Sequence, residues 1–288
     1  MRLCARCGES LAADDWSCQS CGREPQLRDG FPILSPELAD AEEGFKSESF
    51  ELLVEVEEHS FWFKARNALV VWALSRYFGT AKTMLEVGCG TGFVLSGLQL
   101  ALPELTLTAG DADPVALRFA RARAPDASLL QLDACSLPFR NEFDVAGAFD
   151  VIEHLDDDEA ALAALRGAVV PGGGVIITVP QHPWLWSAND EYGHHRRRYT
   201  RAELTRKVRA AGLEILRVTS FVTIPLPAMA LSRWRQRDVD SFDPTAEYRC
   251  PPSLDGWLER CLRFEVGIIR RGVSLPAGGS LLLVAKRP

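Results

Sequence analysis

Thr83-Met84-Leu85-Glu86-Val87-Gly88-Cys89-Gly90-Thr91-Gly92 is the stretch whose reading decides the fold. A short strand-like run, Thr83 to Val87, ends in three glycines at alternate positions, and Phe93 to Leu102 continues as a helix. Glycine at such a junction tolerates positive φ and lets the main chain approach a ligand closely. The pattern repeats downstream. Strands are predicted over Leu105 to Gly110, Ser128 to Gln131, Phe143 to Phe149 and Val175 to Pro180, the last entered through Pro171-Gly172-Gly173-Gly174. Asp113-Pro114 supplies an N-cap and a first-turn proline for a helix over Val115 to Arg123. Strands alternating with helices in this way predict a parallel sheet covered by helices on both faces.

A pyrophosphate-binding turn, G-x-G-x-x-G, would need glycine at position 93, where Phe93 stands. Glu86 to Gly92 instead resembles the E/D-x-G-x-G-x-G motif of class I S-adenosylmethionine-dependent methyltransferases, and the resemblance runs from about residue 57 to the C-terminus. It implies a Rossmann-like, seven-stranded, mostly parallel sheet. It further implies S-adenosylmethionine as methyl donor and S-adenosylhomocysteine as product. On that reading Glu86 faces the cationic end of the donor, with Gly88, Cys89 and Gly90 forming the loop around it. Asp111 accepts both ribose hydroxyls with Ala112 beside it, and Asp133-Ala134 reaches the adenine. Phe149, at the end of the fourth strand, also borders the cofactor. Upstream, Glu57 to about Phe78 reads as one helix, from which Trp62 and Arg66 would cover the cofactor; an aromatic cluster at helical spacing serves a core equally well.

Cys4-x-x-Cys7-Gly8 and Cys18-x-x-Cys21-Gly22 are two matching knuckles separated by ten residues. Four thiolates so spaced can close a tetrahedral, structural zinc site, and about 30 residues need such a staple to fold. The remaining cysteines, Cys89, Cys135, Cys250 and Cys261, lack this pairing. Phe31 to Leu34 is the expected closing strand, and the acidic stretch Glu37 to Glu43 reads as a connector. The organisation is therefore a zinc ribbon over 1–38 and a catalytic domain over 39–288. Within the latter, an insertion over 220–279 separates strands expected at Leu213 to Thr219 and Leu281 to Lys286. Its apolar, proline-punctuated Phe221 to Leu231 and amphipathic Leu254 to Glu265 suit a substrate lid, a homodimer face or a membrane-resting surface.

Transfer to a hydroxyl or protonated amine needs a base, for which imidazole is matched near neutral pH. His154 follows the fourth strand, at the rim where an open sheet binds its ligand. Asp150-x-x-Glu153-His154 resembles the acid-x-x-Glu-His stretch of ubiquinone-pathway O-methyltransferases, which implies a divalent cation near Asp150, Glu153 and His154, with Asp where that family has Glu. The segment Gln181 to Tyr199 resembles the D...GH.RRY stretch of bacterial small-molecule methyltransferases and offers Asp190, His194 and His195 to the acceptor. Thr200-Arg201-Ala202-Glu203 is a capping box, and Arg206, Lys207 and Arg209 of the helix it opens are expected to face water.

Composition narrows the partners. With 47% hydrophobic and 25% charged residues the chain has the makeup of a globular protein, and a net charge of -7 disfavours nucleic acid as the main partner. No apolar run reaches membrane-spanning length, and the absence of an apolar stretch after Arg2 predicts a cytoplasmic protein. The leading expectation is methylation of oxygen or nitrogen on a small, biosynthetic or glycan-like acceptor. One alternative is an RNA methyltransferase, since ribosomal-RNA enzymes with an N-terminal four-cysteine module have a similar layout. The other is a non-catalytic module that keeps the cofactor site.

Overall fold

The computed structural model describes residues 1–12, 15–40, 47–235 and 252–288. Cys250, part of the acidic connector and part of the insertion lie outside the described residues. The chain runs through the hairpin β1 (Gln26–Arg28) and β2 (Phe31–Ile33), then α1 (Pro36–Ala39), α2 (Ser47–His59) and α3 (Phe61–Tyr77). There follow β3 (Thr83–Val87), α4 (Phe93–Ala101), β4 (Thr106–Asp111), α5 (Pro114–Arg123), β5 (Ser128–Gln131) and β6 (Phe143–Phe149). Next come α6 (Asp158–Ala168), β7 (Val169–Pro180), α7 (Ala188–Tyr192), α8 (Arg201–Ala210) and β8 (Glu214–Phe221). The chain closes with α9 (Leu226–Arg235), α10 (Pro252–Arg270) and β9 (Ser280–Lys286).

The strands form one sheet in the order β1-β2-β5-β4-β3-β6-β7-β9-β8, parallel from β2 to β7 and antiparallel at both ends. This is the expected seven-stranded Rossmann-like core, with the ribbon's hairpin added at the β5 edge. Successive strand residues point to opposite faces. Met84 and Ile176 therefore pack in one buried cluster with Leu69, Leu95 and Leu117, beneath α3, α4 and α5. Leu85 and Ile177 pack in a second with Leu162, Leu165, Leu204 and Val208, beneath α6 and α8. A strand buried on both faces reads as a continuous apolar run, which is why β3, β6, β7 and β9 were visible in the sequence.

Two local expectations change and one helix is added. The helix expected over 57–78 is two helices. Ser60 breaks it with an extended backbone (φ -69°, ψ 128°), and its hydroxyl accepts the Trp62 N–H to cap α3. Strand β7 begins before the glycine run: Val169 already pairs with Phe143, and the register shifts before Gly174 meets Val145, so the glycines form a bulge within the strand. Helix α6, unassigned from sequence, is capped by Asp157, whose carboxylate accepts the Ala160 N–H. Among the described residues, no helix is long and apolar enough to cross a membrane.

Candidate functional site

The loop after β3 is left-handed at Gly88 (φ 68°), Gly90 (φ 51°) and Gly92 (φ 80°). The three glycines serve different ends. A Cβ on Gly92 would lie 2.7 Å from Ala120 Cα, so this glycine seats α4 against α5. A Cβ on Gly90 would meet nothing within 4 Å, so this glycine presents bare main chain to open space. Asp111, at the end of β4, accepts the N–H of Gly90 at 2.8 Å and that of Asp113 at 3.0 Å, which ties the acid to the loop. Asp133 accepts the Cys135 N–H at 2.8 Å and forms the turn after β5.

Glu86 is buried and its Oε2 has no hydrogen-bond partner. Burial pushes its carboxyl up to about 8 against the opposing pull of Arg66. Glu86 thus stands as a buried carboxyl with a free acceptor oxygen beside a loop of bare main chain. Helix α2 is latched over this loop. Buried Glu57 accepts from the Thr91 hydroxyl and from Arg123, whose other nitrogen donates to the Val54 carbonyl at 3.0 Å.

Beside the loop lies a cavity of about 500 Å³. Its apolar walls come from α2 (Leu52, Leu53, Val56), the start of α3 (Phe61, Trp62, Phe63), α9 (Pro225's neighbours Ala228 and Met229) and α10 (Leu254, Leu258). Its polar wall is Arg66, Asp150, Glu153, His154, His195 and Arg198. Arg66 stacks on Trp62, 4.8 Å from the ring centre, and donates to Asp150 at 2.9 Å. Asp150 also accepts the Thr178 hydroxyl at 2.8 Å and is held at positive φ (59°), an uncommon conformation for a residue other than glycine. Trp62 and Arg66 thus face the cavity. Phe149 is buried in the core beneath it, its carbonyl 3.5 Å from Arg66.

Of the three acceptor candidates, His195 alone lines the cavity. His194 is exposed at the turn, at positive φ (54°). Asp190 is fully buried and acts through its neighbours: it faces His195 Nδ1 at 2.9 Å and accepts from Arg198 at 2.6 Å and Arg233 at 3.1 Å. Burial works to raise its carboxyl, but the His195 hydrogen bond and the two guanidinium charges hold it well below the usual range. His154 stacks edge-on against His195 with ring centres 4.7 Å apart. Burial, helped by His195, pushes His154 down to about 4, so it stays neutral at physiological pH.

Arg206 and Arg209 are exposed as expected, but Lys207 is not, and the run before them is only partly solvated. Arg198 is buried, and Lys207 is buried with its Nζ 2.7 and 2.6 Å from the two Asp158 oxygens. Asp158 also accepts from the Tyr199 hydroxyl at 2.5 Å and pairs with Arg197 at 3.0 Å. Arg233 was not singled out from sequence. It follows the apolar run of α9 with no motif around it, and only folding brings it to Asp190.

At the ribbon, Cys4, Cys7, Cys18 and Cys21 converge, with sulfurs 3.6 Å apart for Cys4 and Cys21 and 3.5 Å for Cys7 and Cys18. Tetrahedral thiolates around zinc stand about 3.8 Å apart, whereas a disulfide needs about 2.05 Å. The two knuckles match: the N–H of Gly8 bonds the Cys4 carbonyl and that of Gly22 the Cys18 carbonyl, both at 2.9 Å.

Residues 85–177 match the methyltransferase domain family. A probable S-adenosylmethionine-dependent methyltransferase of Mycolicibacterium smegmatis is 28% identical over 162 residues, covering 55% of this chain and 61% of that protein. A ubiquinone biosynthesis O-methyltransferase of Thiobacillus denitrificans is 26% identical over 174 residues, covering 54% of this chain and 74% of that one. Among solved structures, a chain from the complex of the Haloferax volcanii Trm112 methyltransferase activator with a methyltransferase superposes with TM-score 0.53 at 21% identity, covering 84% of this chain and 94% of that one. A Thermotoga maritima S-adenosylmethionine-dependent methyltransferase gives 0.52 at 17%, covering 84% and 95%. The fold, and the sequence over residues 85–177, are thus similar to those of S-adenosylmethionine-dependent methyltransferases. The chain spans about three fifths of the mycobacterial relative's length.

Proposed function

We propose that this protein transfers a methyl group from S-adenosylmethionine to an oxygen or nitrogen of a small, partly apolar acceptor held in the cavity between α2, α9 and α10. The observation that carries this is the cavity itself. A concave, largely apolar chamber of about 500 Å³ with one polar wall fits a small molecule better than a macromolecule. Among the described residues none of the ribbon lines it, so the ribbon gives no support to reading an RNA acceptor there.

The donor brings a methyl carbon already activated by the sulfonium, and the protein's part is to align the acceptor and take its proton. Glu86 offers negative charge to the donor's amino acid end, and Asp111 and Asp133 offer acceptors for ribose and adenine. His195, with Nδ1 held by Asp190 and its ring lining the cavity, serves as the base. Helices α9 and α10 act as the lid. Methyl transfer from labelled donor to candidate acceptors, scored in wild type and His195→Asn, tests this reading. Turnover that survives unchanged in the variant removes His195 as base.

A second reading of the polar wall is favoured by the Glu153 carboxylate, buried with neither oxygen hydrogen-bonded. Ligand atoms of Glu153, His154 and His195 all lie within 4.8 Å of one another, a set that could hold a divalent cation. Asp150, included from sequence, is committed to Arg66 and Thr178, and His195 takes its place. Such a cation would polarise the acceptor oxygen. Titration with Mn²⁺, read by paramagnetic resonance, should show one site in wild type and none in Glu153→Gln.

A further inference from the structure

The ribbon grips the catalytic sheet at both ends of one segment. At its start, β2 pairs with β5 through Ile33 and Gln131, and the Leu34 N–H donates to the Gln131 carbonyl at 3.1 Å. At its end, the Leu3 N–H donates to the Pro138 carbonyl and the Arg140 N–H to the Met1 carbonyl, both at 2.9 Å, with Arg2 bridged to Phe139. Trp16 packs edge-on against Phe139 at 5.7 Å. Between these anchors lies the turn carrying Asp133.

Gln131 connects this grip to the second cofactor acid. It is fully buried and its side-chain amide is saturated. Its Oε1 accepts the Ser35 N–H at 2.9 Å, and its Nε2 donates to the Ser35 carbonyl at 2.9 Å and the Ala112 carbonyl at 3.0 Å. In the sheet Gln131 stands beside Asp111, whose carbonyl accepts the Leu132 N–H at 3.1 Å. One side chain thus fixes the peptide that follows Asp111, the strand that leads to Asp133, and the ribbon's exit from β2.

We infer that the ribbon is a cofactor-affinity element: its four-cysteine metal site keeps it folded on the β5 edge, and Gln131 is the positioning residue through which that docking orders Asp111 and Asp133. The inference rests on the cofactor reading above. A metal-free ribbon loses its fold, because so short a module has little core of its own. Strand β5 then becomes an open edge, and the 131–142 segment loses both anchors while β3, β6 and β7 keep theirs.

The test is S-adenosylhomocysteine binding by calorimetry on the full chain, with zinc content and hydrogen exchange measured on the same samples. Wild type chelated of zinc, Cys18→Ser and Gln131→Ala should each bind about tenfold more weakly. Exchange should quicken over 132–140 and 111–113 and stay unchanged in β3 and β6, which separates loosening from global unfolding. Re-adding zinc to chelated wild type should restore affinity. The double variant should be little weaker than either single one, because both break the same link. Equal affinity with and without zinc, or losses that add in full, would overturn the inference. Wild type that binds no S-adenosylhomocysteine at all would instead bring down the cofactor reading.

Discussion

Glu86 should release a proton when the cofactor binds, and the effect is large enough to see in the pH dependence of affinity. In the free protein its carboxyl titrates at about 8, because burial disfavours the charge and Oε2 has no partner. A ligand ammonium placed against it favours the ionised form and pulls that value back towards the ordinary carboxylate range, so below pH 8 binding couples to release of roughly one proton. The sign follows directly: the proton leaves on binding, so affinity rises with pH. Between pH 6.5 and 7.5 the dissociation constant of S-adenosylhomocysteine should fall about tenfold, equivalent to about 1.4 kcal/mol, and flatten above pH 8. Calorimetry in buffers of different ionisation enthalpy counts the proton directly. Glu86→Gln should abolish both slope and proton, matching wild type at low pH and binding more weakly at pH 8. A wild-type affinity flat from pH 6 to 8 with no proton exchanged would refute the placement of Glu86 against the ligand's cationic end.

Other outcomes follow from neighbouring contacts. Asp111→Ala should weaken S-adenosylhomocysteine binding by about 2–3 kcal/mol, since it removes the ribose acceptor and the anchor of the Gly90 and Asp113 N–H groups; unchanged affinity in a folded variant counts against the assignment. His195→Asn should cut turnover about 10²–10⁴-fold with cofactor affinity intact, and Asp190→Asn should do the same less severely by freeing the ring; equal loss of cofactor affinity would point to collapse of the wall instead. Lys207→Met should cost about 2–3 kcal/mol in urea unfolding because it strips the main cation from buried Asp158. Burial works to raise the Asp158 carboxyl, but Lys207 and Tyr199 hold it below the usual range, so the network stabilises at neutral pH and its contribution is lost as pH falls through that lowered value. Wild type should therefore lose more stability on acidification than Lys207→Met.

Much of the sheet was legible in the sequence because β3, β6, β7 and β9 are buried on both faces and largely apolar, and because glycine and Asp-Pro mark strand ends. Strands β5 and β6 fall where the apolar runs do. The acids proposed to meet the cofactor were legible as positions for a related reason: Glu86, Asp111 and Asp133 fall at or near strand ends, so their place along the chain fixes their place in the sheet. Ser60 shows the opposite case. Its side chain is a local N-cap signal for α3, but a lone serine inside a long helical pattern does not show that the chain breaks there, and α2's contacts with Thr91 and Arg123 are made only in the fold. Lys207 reads as a solvent-facing lysine on an amphipathic helix, and only the arrival of Asp158 from across the sheet makes it a buried partner.

Sequence by itself determined the core strands β3 to β7, the four-cysteine spacing and the acids near the strand ends, since each is written in contiguous residues by backbone geometry and burial. Tertiary structure alone decided that His195 rather than His194 faces the cavity and that Asp190 orients it with Arg198 and Arg233. It alone decided that Asp150 belongs to Arg66, and that the ribbon extends the sheet through Gln131. Those pairings join residues far apart along the chain, and a charge or hydrogen bond records its partner only once both are brought within about 3 Å.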